Sequence, residues 1–149
     1  DDDDSIDPNH ISKLARALVQ YPEAVLSYTG VRLMDESHSI FGHFEYKFSA
    51  EQIIAGNFMP IHSVLFRQTL LEKGCVIDEQ FDLYEDWDFW IQAAQHGHFQ
   101  WVEGVSATYY LPFGGHSDAH KTQIANTARQ AALHTRYWLR TELPRFCHP

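Results

Sequence analysis

Tyr84-Glu85-Asp86-Trp87-Asp88-Phe89-Trp90 sets three carboxylates among four aromatic rings at the start of an apolar helical period. From Glu85 onward Trp87, Trp90, Ile91 and Ala94 recur at three-and-four spacing, and Gly97 supplies a stop. An acidic first turn is what a helix N-terminus favours, because its unpaired N–H groups and dipole attract negative charge. On this stretch alone, Glu85 and Asp86 read equally as capping acids and as carboxylates presented for chemistry. A second acidic cluster, Asp1-Asp2-Asp3-Asp4, also runs into an amphipathic helix. Taken alone it is a solvated tail or the remnant of a tag. Two such clusters brought together by a fold would instead serve a cation and a base.

Working outward from these clusters, Asp7-Pro8 predicts a helix start, with Asp7 as N-cap and Pro8 in the first turn, and Pro22 ends the helix near Tyr21. Ile11, Leu14, Ala15, Leu18 and Val19 form its expected inward face. Residues 24–28 predict a buried strand, Thr29-Gly30 a turn or bulge, and residues 31–34 a second short strand. Residues 35–46 lack a clear period and read as a loop, with room for an edge hairpin. Ser49 and Gln52 have the spacing of a capping box, so a short helix to Ala55 is expected before Gly56-Asn57. Strands are expected at 64–66, 99–102 and 106–111, and helices at 67–73 and about 121–140. The last of these turns Ile124, Ala128, Ala131, Thr135 and Trp138 inward, after a flexible loop at 112–118. Helices alternating with short apolar strands predict α/β architecture.

Composition narrows the function classes. The chain has 149 residues, 44% hydrophobic and 14% aromatic, enough for one sizeable core. Its formal charge of -9, with 11 scattered Lys and Arg, offers no basic stripe for nucleic acid or an anionic membrane. Cys75 and Cys147 fit no metal or redox spacing and suit a reducing compartment, Cys75 as a small core residue. No apolar run approaches the roughly 20 residues that span a bilayer, so a soluble cytoplasmic protein is expected.

The order of motifs carries a resemblance. Asp1-Asp2-Asp3-Asp4 before Pro8 and a helix, then Asn57-Phe58-Met59-Pro60, Val64-Leu65-Phe66-Arg67, Asp78-Glu79 and Glu85-Asp86-Trp87-Asp88-Phe89-Trp90, resembles family 2 glycosyltransferases of the GT-A fold. The resemblance runs from Asp1 to about Tyr110 and implies a mixed sheet with flanking helices, here only the C-terminal part of one GT-A domain, 1–149. Within it fall a metal motif at 1–4, an acceptor-side region at 35–110 and the C-terminal helix. The family's nucleotide-binding front half has no counterpart in these residues.

The resemblance also implies an activity: transfer of a sugar from a nucleotide-diphospho-sugar donor to the hydroxyl of a saccharide or glycolipid acceptor, inverting by single displacement. A divalent cation, Mn2+ or Mg2+, would stabilise the departing diphosphate. Asp1 and Asp3 match the two aspartates of the family motif, and Asp4 the acidic residue next to them. Asp3 is expected on the metal, and Asp1 near the ribose or on the metal through water. His116 is the candidate for the family's late histidine at the metal or diphosphate. Asp86 is assigned the acceptor's proton, with Glu85 orienting the acceptor or its loop. The implied setting is surface polysaccharide or lipopolysaccharide synthesis, in the cytoplasm or peripheral to the inner face of the membrane.

Other readings stand beside these. Trp87 and Trp90 could stack on a sugar ring, but their spacing with Ile91 favours core packing. Asp88 reads as structural or acceptor-contacting. His116 and His120 have i, i+4 spacing without the Glu of a zincin pattern. Arg32 and Arg67 could reach a phosphate or lie on the surface. A catalytically silent carbohydrate-binding module of the same fold, and a divalent-metal hydrolase built on the same carboxylates, are the rival functions.

Overall fold

A computed structural model describes residues 4–79, 81 and 84–110. The chain divides into two units, Asp1–Pro112 and Phe113–Pro149, and the described residues all belong to the first. The expected C-terminal helix, with its inward residues, and the loop at 112–118 lie outside the described residues apart from the unit boundary.

The elements run β1 (Ser5–Ile6), α1 (His10–Gln20), β2 (Leu26–Met34), β3 (Ile40–Phe44), α2 (Ala50–Ala55), a 3-10 turn (Ile61–Ser63), β4 (Val64–Phe66), α3 (Thr69–Glu72), α4 (Glu85–Ala93) and β5 (Phe99–Tyr110). This is a mixed α/β arrangement, as expected. The five strands form one open sheet centred on β2. One side of β2 pairs in parallel with β5, and β5 pairs antiparallel with β1. The other side is shared: β4 pairs with the first part of β2, and β3 with the last. A strand flanked on both edges and covered on both faces is largely buried: Leu26, Tyr28 and Val31 are almost fully enclosed, and so are the hydrogen-bonded Ser27 and Thr29.

Alternation along the strands decides which helix covers which face. Ser27 turns its hydroxyl to the Leu14 carbonyl of α1, 3.0 Å away, so Leu26 and Tyr28 face the opposite side. Phe66 is the register partner of Leu26 and shares that side. Its ring lies 4.9 Å from Phe89 of α4. The sheet is therefore sandwiched between α1 and α4. Arg67, one residue on, points back to the α1 side, where Nε donates to Ala24 O at 2.7 Å and Nη2 to Leu18 O at 2.6 Å. It closes the C-terminal end of α1, where orphan carbonyls need a donor.

Several expectations change in detail. Residues 24–28 and 31–34 belong to one strand, β2, whose register with β5 slips on either side of Gly30. A Cβ at Gly30 would lie 2.7 Å from Glu45 Cγ and 3.1 Å from the Phe44 carbonyl, so the close approach of β3 needs a glycine there. The expected strands at 99–102 and 106–111 are likewise one strand, with Glu103 and Gly104 bulged out between Val102 and Val105 and Gly104 at φ 94°. Residues 35–46 do form the edge hairpin. Asp35 Oδ1 accepts from Ser37 N, Ser37 Oγ and Ser39 N at 2.7–2.9 Å, an Asx-type turn that joins β2 to β3. Those bonds, that from the Ser37 side chain first, hold the exposed Asp35 carboxyl below its usual range.

On α1 the inward face is His10, Leu14, Ala17 and Leu18, while Ile11 and Val19 are exposed. The helix begins at His10 with Asn9 as its boundary residue, and Asp7 does not cap it. Asp7 instead receives both Arg32 guanidinium nitrogens, at 3.1 and 2.9 Å. The cap expected at α2 is present: Ser49 Oγ accepts from Gln52 N at 3.1 Å.

Candidate functional site

α4 opens with Tyr84 in the left-handed region, at φ 68°, and carries Glu85, Asp86 and Asp88 in its first turn. The helix is locked from its second turn onward. Trp87 is fully buried and its indole N–H donates to Ile53 O at the end of α2. Trp90, equally enclosed, donates to Met59 O at 2.8 Å. Both tryptophans are core residues, as their spacing predicted. Asp88 is 1% exposed and accepts from Gln92 Nε2 at 2.6 Å. Gln92 in turn pairs its amide with both backbone groups of Val76, at 3.0 and 2.9 Å. Asp88 therefore belongs to the inside of the molecule.

Asp86 differs from Asp88 by lying at the surface of this packed helix, partly exposed. Its Oδ2 accepts from Asn57 Nδ2 at 2.9 Å and its Oδ1 from the Trp87 backbone N–H at 2.7 Å. Burial in mostly protein surroundings pushes its pKa up, and the like charge of Glu85 adds to that. The hydrogen bonds from Asn57 and Trp87 oppose the rise without cancelling it. From position alone the helix N-terminus would hold the group ionised and weaken it as a base. Desolvation outweighs that effect and makes Asp86 more basic than an ordinary aspartate.

Asp4, the last residue of the first acidic cluster, is held at the opposite border of β5. Its Oδ1 accepts from Tyr110 N at 3.0 Å, and its Oδ2 lies 3.1 Å from His62 Nδ1. Both side chains are largely enclosed, 12% and 16% exposed. Both oxygens of Asp4 are thus engaged by protein partners. Asp1, Asp3 and His116, which the resemblance places on the metal and diphosphate, lie outside the described residues. Among the described residues no group of three His, Cys, Asp or Glu side chains is arranged to hold a metal ion.

The partners of the two carboxylates stand five positions apart, on one strap, residues 57–62. Asn57 grips Asp86 at one end and His62 grips Asp4 at the other. Between them Phe58, Met59 and Pro60 are buried, and Ser63 closes the strap with bonds from N and Oγ to Pro60 O at 2.9 and 2.7 Å. Five residues of extended chain span at most about 18 Å, and the 3-10 turn at the end shortens this. Asp4 and Asp86, more than eighty positions apart in sequence, are thus tied to the two ends of one short segment.

Beneath Asp4 lies a buried polar chain. His10 Nδ1 is 2.8 Å from Ser106 Oγ, Ser106 donates to Thr29 Oγ1 at 3.0 Å, and Thr29 donates to Gly30 O at 3.2 Å. Since each hydroxyl spends its one proton onward, His10 Nδ1 carries the hydrogen. Burial lowers the His10 pKa below its ordinary 6.5, and the neighbouring His62 and Lys13 lower it further, against the raising effect of the His62 backbone and Asp7. The unfolded chain then takes up the proton first. Stability contributed by neutral His10 is complete above pH 6.5 and is lost as pH falls below it. Urea unfolding at pH 7.5 and 5.0 should show this loss, and His10→Asn, which retains a donor for Ser106, should remove it. An unchanged pH dependence in that variant would contradict the assignment.

Sequence reasoning named Asp86, Glu85 and Asp4 but not their partners. Asn57 stood within a quoted motif without a role, and His62 is too far from Asp4 in sequence for any spacing to join them. Arg32 and Arg67, weighed as phosphate ligands, are engaged by Asp7 and by the end of α1. In comparison with known proteins the chain matches no protein-family model and no curated protein. Among the described residues no helix is long and apolar enough to cross a membrane.

Proposed function

We propose that the chain carries the acceptor-side part of a GT-A glycosyltransferase, similar to family 2, that moves a sugar from a nucleotide-diphospho-sugar to a hydroxyl acceptor. The supporting observation is the strap at residues 57–62, which ties a basic, accessible carboxylate and the metal-motif carboxylate Asp4 into one region. In this reading Asp86 accepts the proton of the acceptor hydroxyl as its oxygen bonds to the anomeric carbon. The bond from that carbon to the diphosphate breaks on the opposite side, inverting the centre. Glu85 orients the acceptor. Asp4 is fixed by His62 and Tyr110 N–H. Asp1 and Asp3 would hold a divalent cation supplying Lewis-acid stabilisation of the leaving nucleotide diphosphate.

The raised basicity of Asp86 suits this role, because a base works best when its pKa approaches the working pH. A saccharide or glycolipid acceptor in surface polysaccharide or lipopolysaccharide synthesis is the setting the resemblance suggests, at or near the inner face of a membrane.

Incubating the full-length protein with Mn2+, a panel of nucleotide sugars and saccharide acceptors should release free nucleotide diphosphate with one donor, and Asp4→Ala should depress that release. Sugar binding without consumption of any donor would replace the reading by a silent binding module. Cleavage of phosphoesters in place of transfer would replace it by a hydrolase.

A further inference from the structure

Asn57 follows α2 and sits partly exposed at the head of the strap. Its two amide ends have different, incompatible tasks. Oδ1 accepts from the Met59 backbone N–H at 3.0 Å, and Nδ2 donates to Asp86 Oδ2 at 2.9 Å. The reversed amide would set an oxygen against a carboxylate and an NH2 against an N–H, so only one orientation satisfies both partners. Met59 is fully buried and its own carbonyl receives the Trp90 indole, so the strap that sets Asn57 is itself fixed from the core. Asp86 is then restrained on both oxygens, by Asn57 and by Trp87 N–H, which fixes the plane of the carboxylate. Each oxygen keeps a further lone pair for an incoming hydroxyl.

We infer that Asn57 is a positioning residue for Asp86, holding the carboxylate plane in place from the strap so that its remaining lone pairs face the acceptor. This rests on the reading of Asp86 as the base. The charged neighbour acting on Asp86 is Glu85, on the same helix, whereas the strap presents the neutral Asn57. Of the hydrogen bonds that oppose the effect of burial on this carboxyl, that from Asn57 acts most strongly. Removing it should leave the ionised form less favoured.

The test uses Asn57→Leu, close in volume and without a donor, with Asn57→Ala carrying the same measurement should the leucine variant fail to fold. The side-chain carboxyl carbon of Asp86, followed by NMR through a pH titration, should titrate at higher pH in the variant. In the full-length protein, kcat for transfer should fall about ten- to a hundredfold with KM for donor unchanged, and the acid limb of the rate profile should move to higher pH. Asn57→Gln, with the amide on a longer arm, should recover part of both. An Asp86 titration unmoved by Asn57→Leu would overturn the inference. A moved titration with an unmoved rate profile would uphold Asn57 as the partner of Asp86 and overturn Asp86 as the base.

Discussion

Asp86→Asn is expected to lower sugar transfer by about 10²–10⁴-fold, the range that a positioned general base contributes, while donor binding persists. The substitution keeps the size of the side chain and removes the lone pair that would accept the acceptor's proton. Stability should report the same group by an independent route. The folded-state pKa of Asp86 lies above its ordinary 3.8, so the unfolded chain releases that proton first as pH rises. Ionisation therefore costs stability through the window from 3.8 up to the raised value, and an amide at this position has no such cost. Denaturation curves across that window should be flatter for Asp86→Asn than for the parent. Full transfer by the variant would remove Asp86 from the chemistry, whatever the stability data showed.

The largest loss of stability is expected at Trp87. Its indole is fully enclosed between α4 and the end of α2 and supplies the donor for Ile53 O. Trp87→Ala removes the ring, at a cost of about 3–5 kcal/mol for a large aromatic in a core. The Ile53 carbonyl left without that donor adds about 1–3 kcal/mol, less than additively. Domains of this size are stable by about 5–15 kcal/mol, so the alanine variant should sit near the edge of folding. Trp87→Phe keeps a six-membered aromatic ring while losing the N–H and the remaining bulk of the indole, and should cost less than the alanine. Urea midpoints at constant m-value measure both. Equal, small losses in the two variants would mean that the indole is not the pin between α2 and α4.

The residues that local rules could reach were legible in the sequence. Ser49 and Gln52 are close in the chain and satisfy each other wherever the helix forms, so the α2 cap needed no tertiary knowledge. Trp87 and Trp90 followed from helical period, and the 64–66 strand from its apolar run. What failed were places where a distant partner outbid a local one. Asp7 had the pattern of an N-cap, but the Arg32 guanidinium, two strands away, offers two bonds between opposite charges in place of one to a backbone N–H. At Gly30 a turn and a bulge both stood open, because local chemistry cannot distinguish a turn from a bulge that a neighbouring strand imposes, and the break expected between 102 and 106 is likewise a bulge. The hairpin allowed for within residues 35–46 has its turn signal in side chains, Asp35 with Ser37 and Ser39, without the usual Asn-Gly or Asp-Gly pair. At the candidate site the carboxylates were visible as clusters, but the strap that joins them was not, since nothing in a single sequence pairs Asn57 with Asp86 or His62 with Asp4.

The parallel pairing of β2 with β5 sets a timetable for folding. Leu26 meets Phe99 and Met34 meets Tyr110, partners some seventy residues apart, whereas β2 meets β3 through a tight hairpin and β4 at intermediate range. During synthesis the hairpin and the β4 pairing can form early, but the open edge of β2 has no mate until the chain through Tyr110 has emerged. Until then the most buried strand of the sheet stands with unpaired backbone groups along one edge, a template for other chains. A still longer-range closure, β1 on β5 with Ser5 opposite Thr108, brings Tyr110 N–H to Asp4, so this hold on Asp4 becomes available only when the sheet is complete.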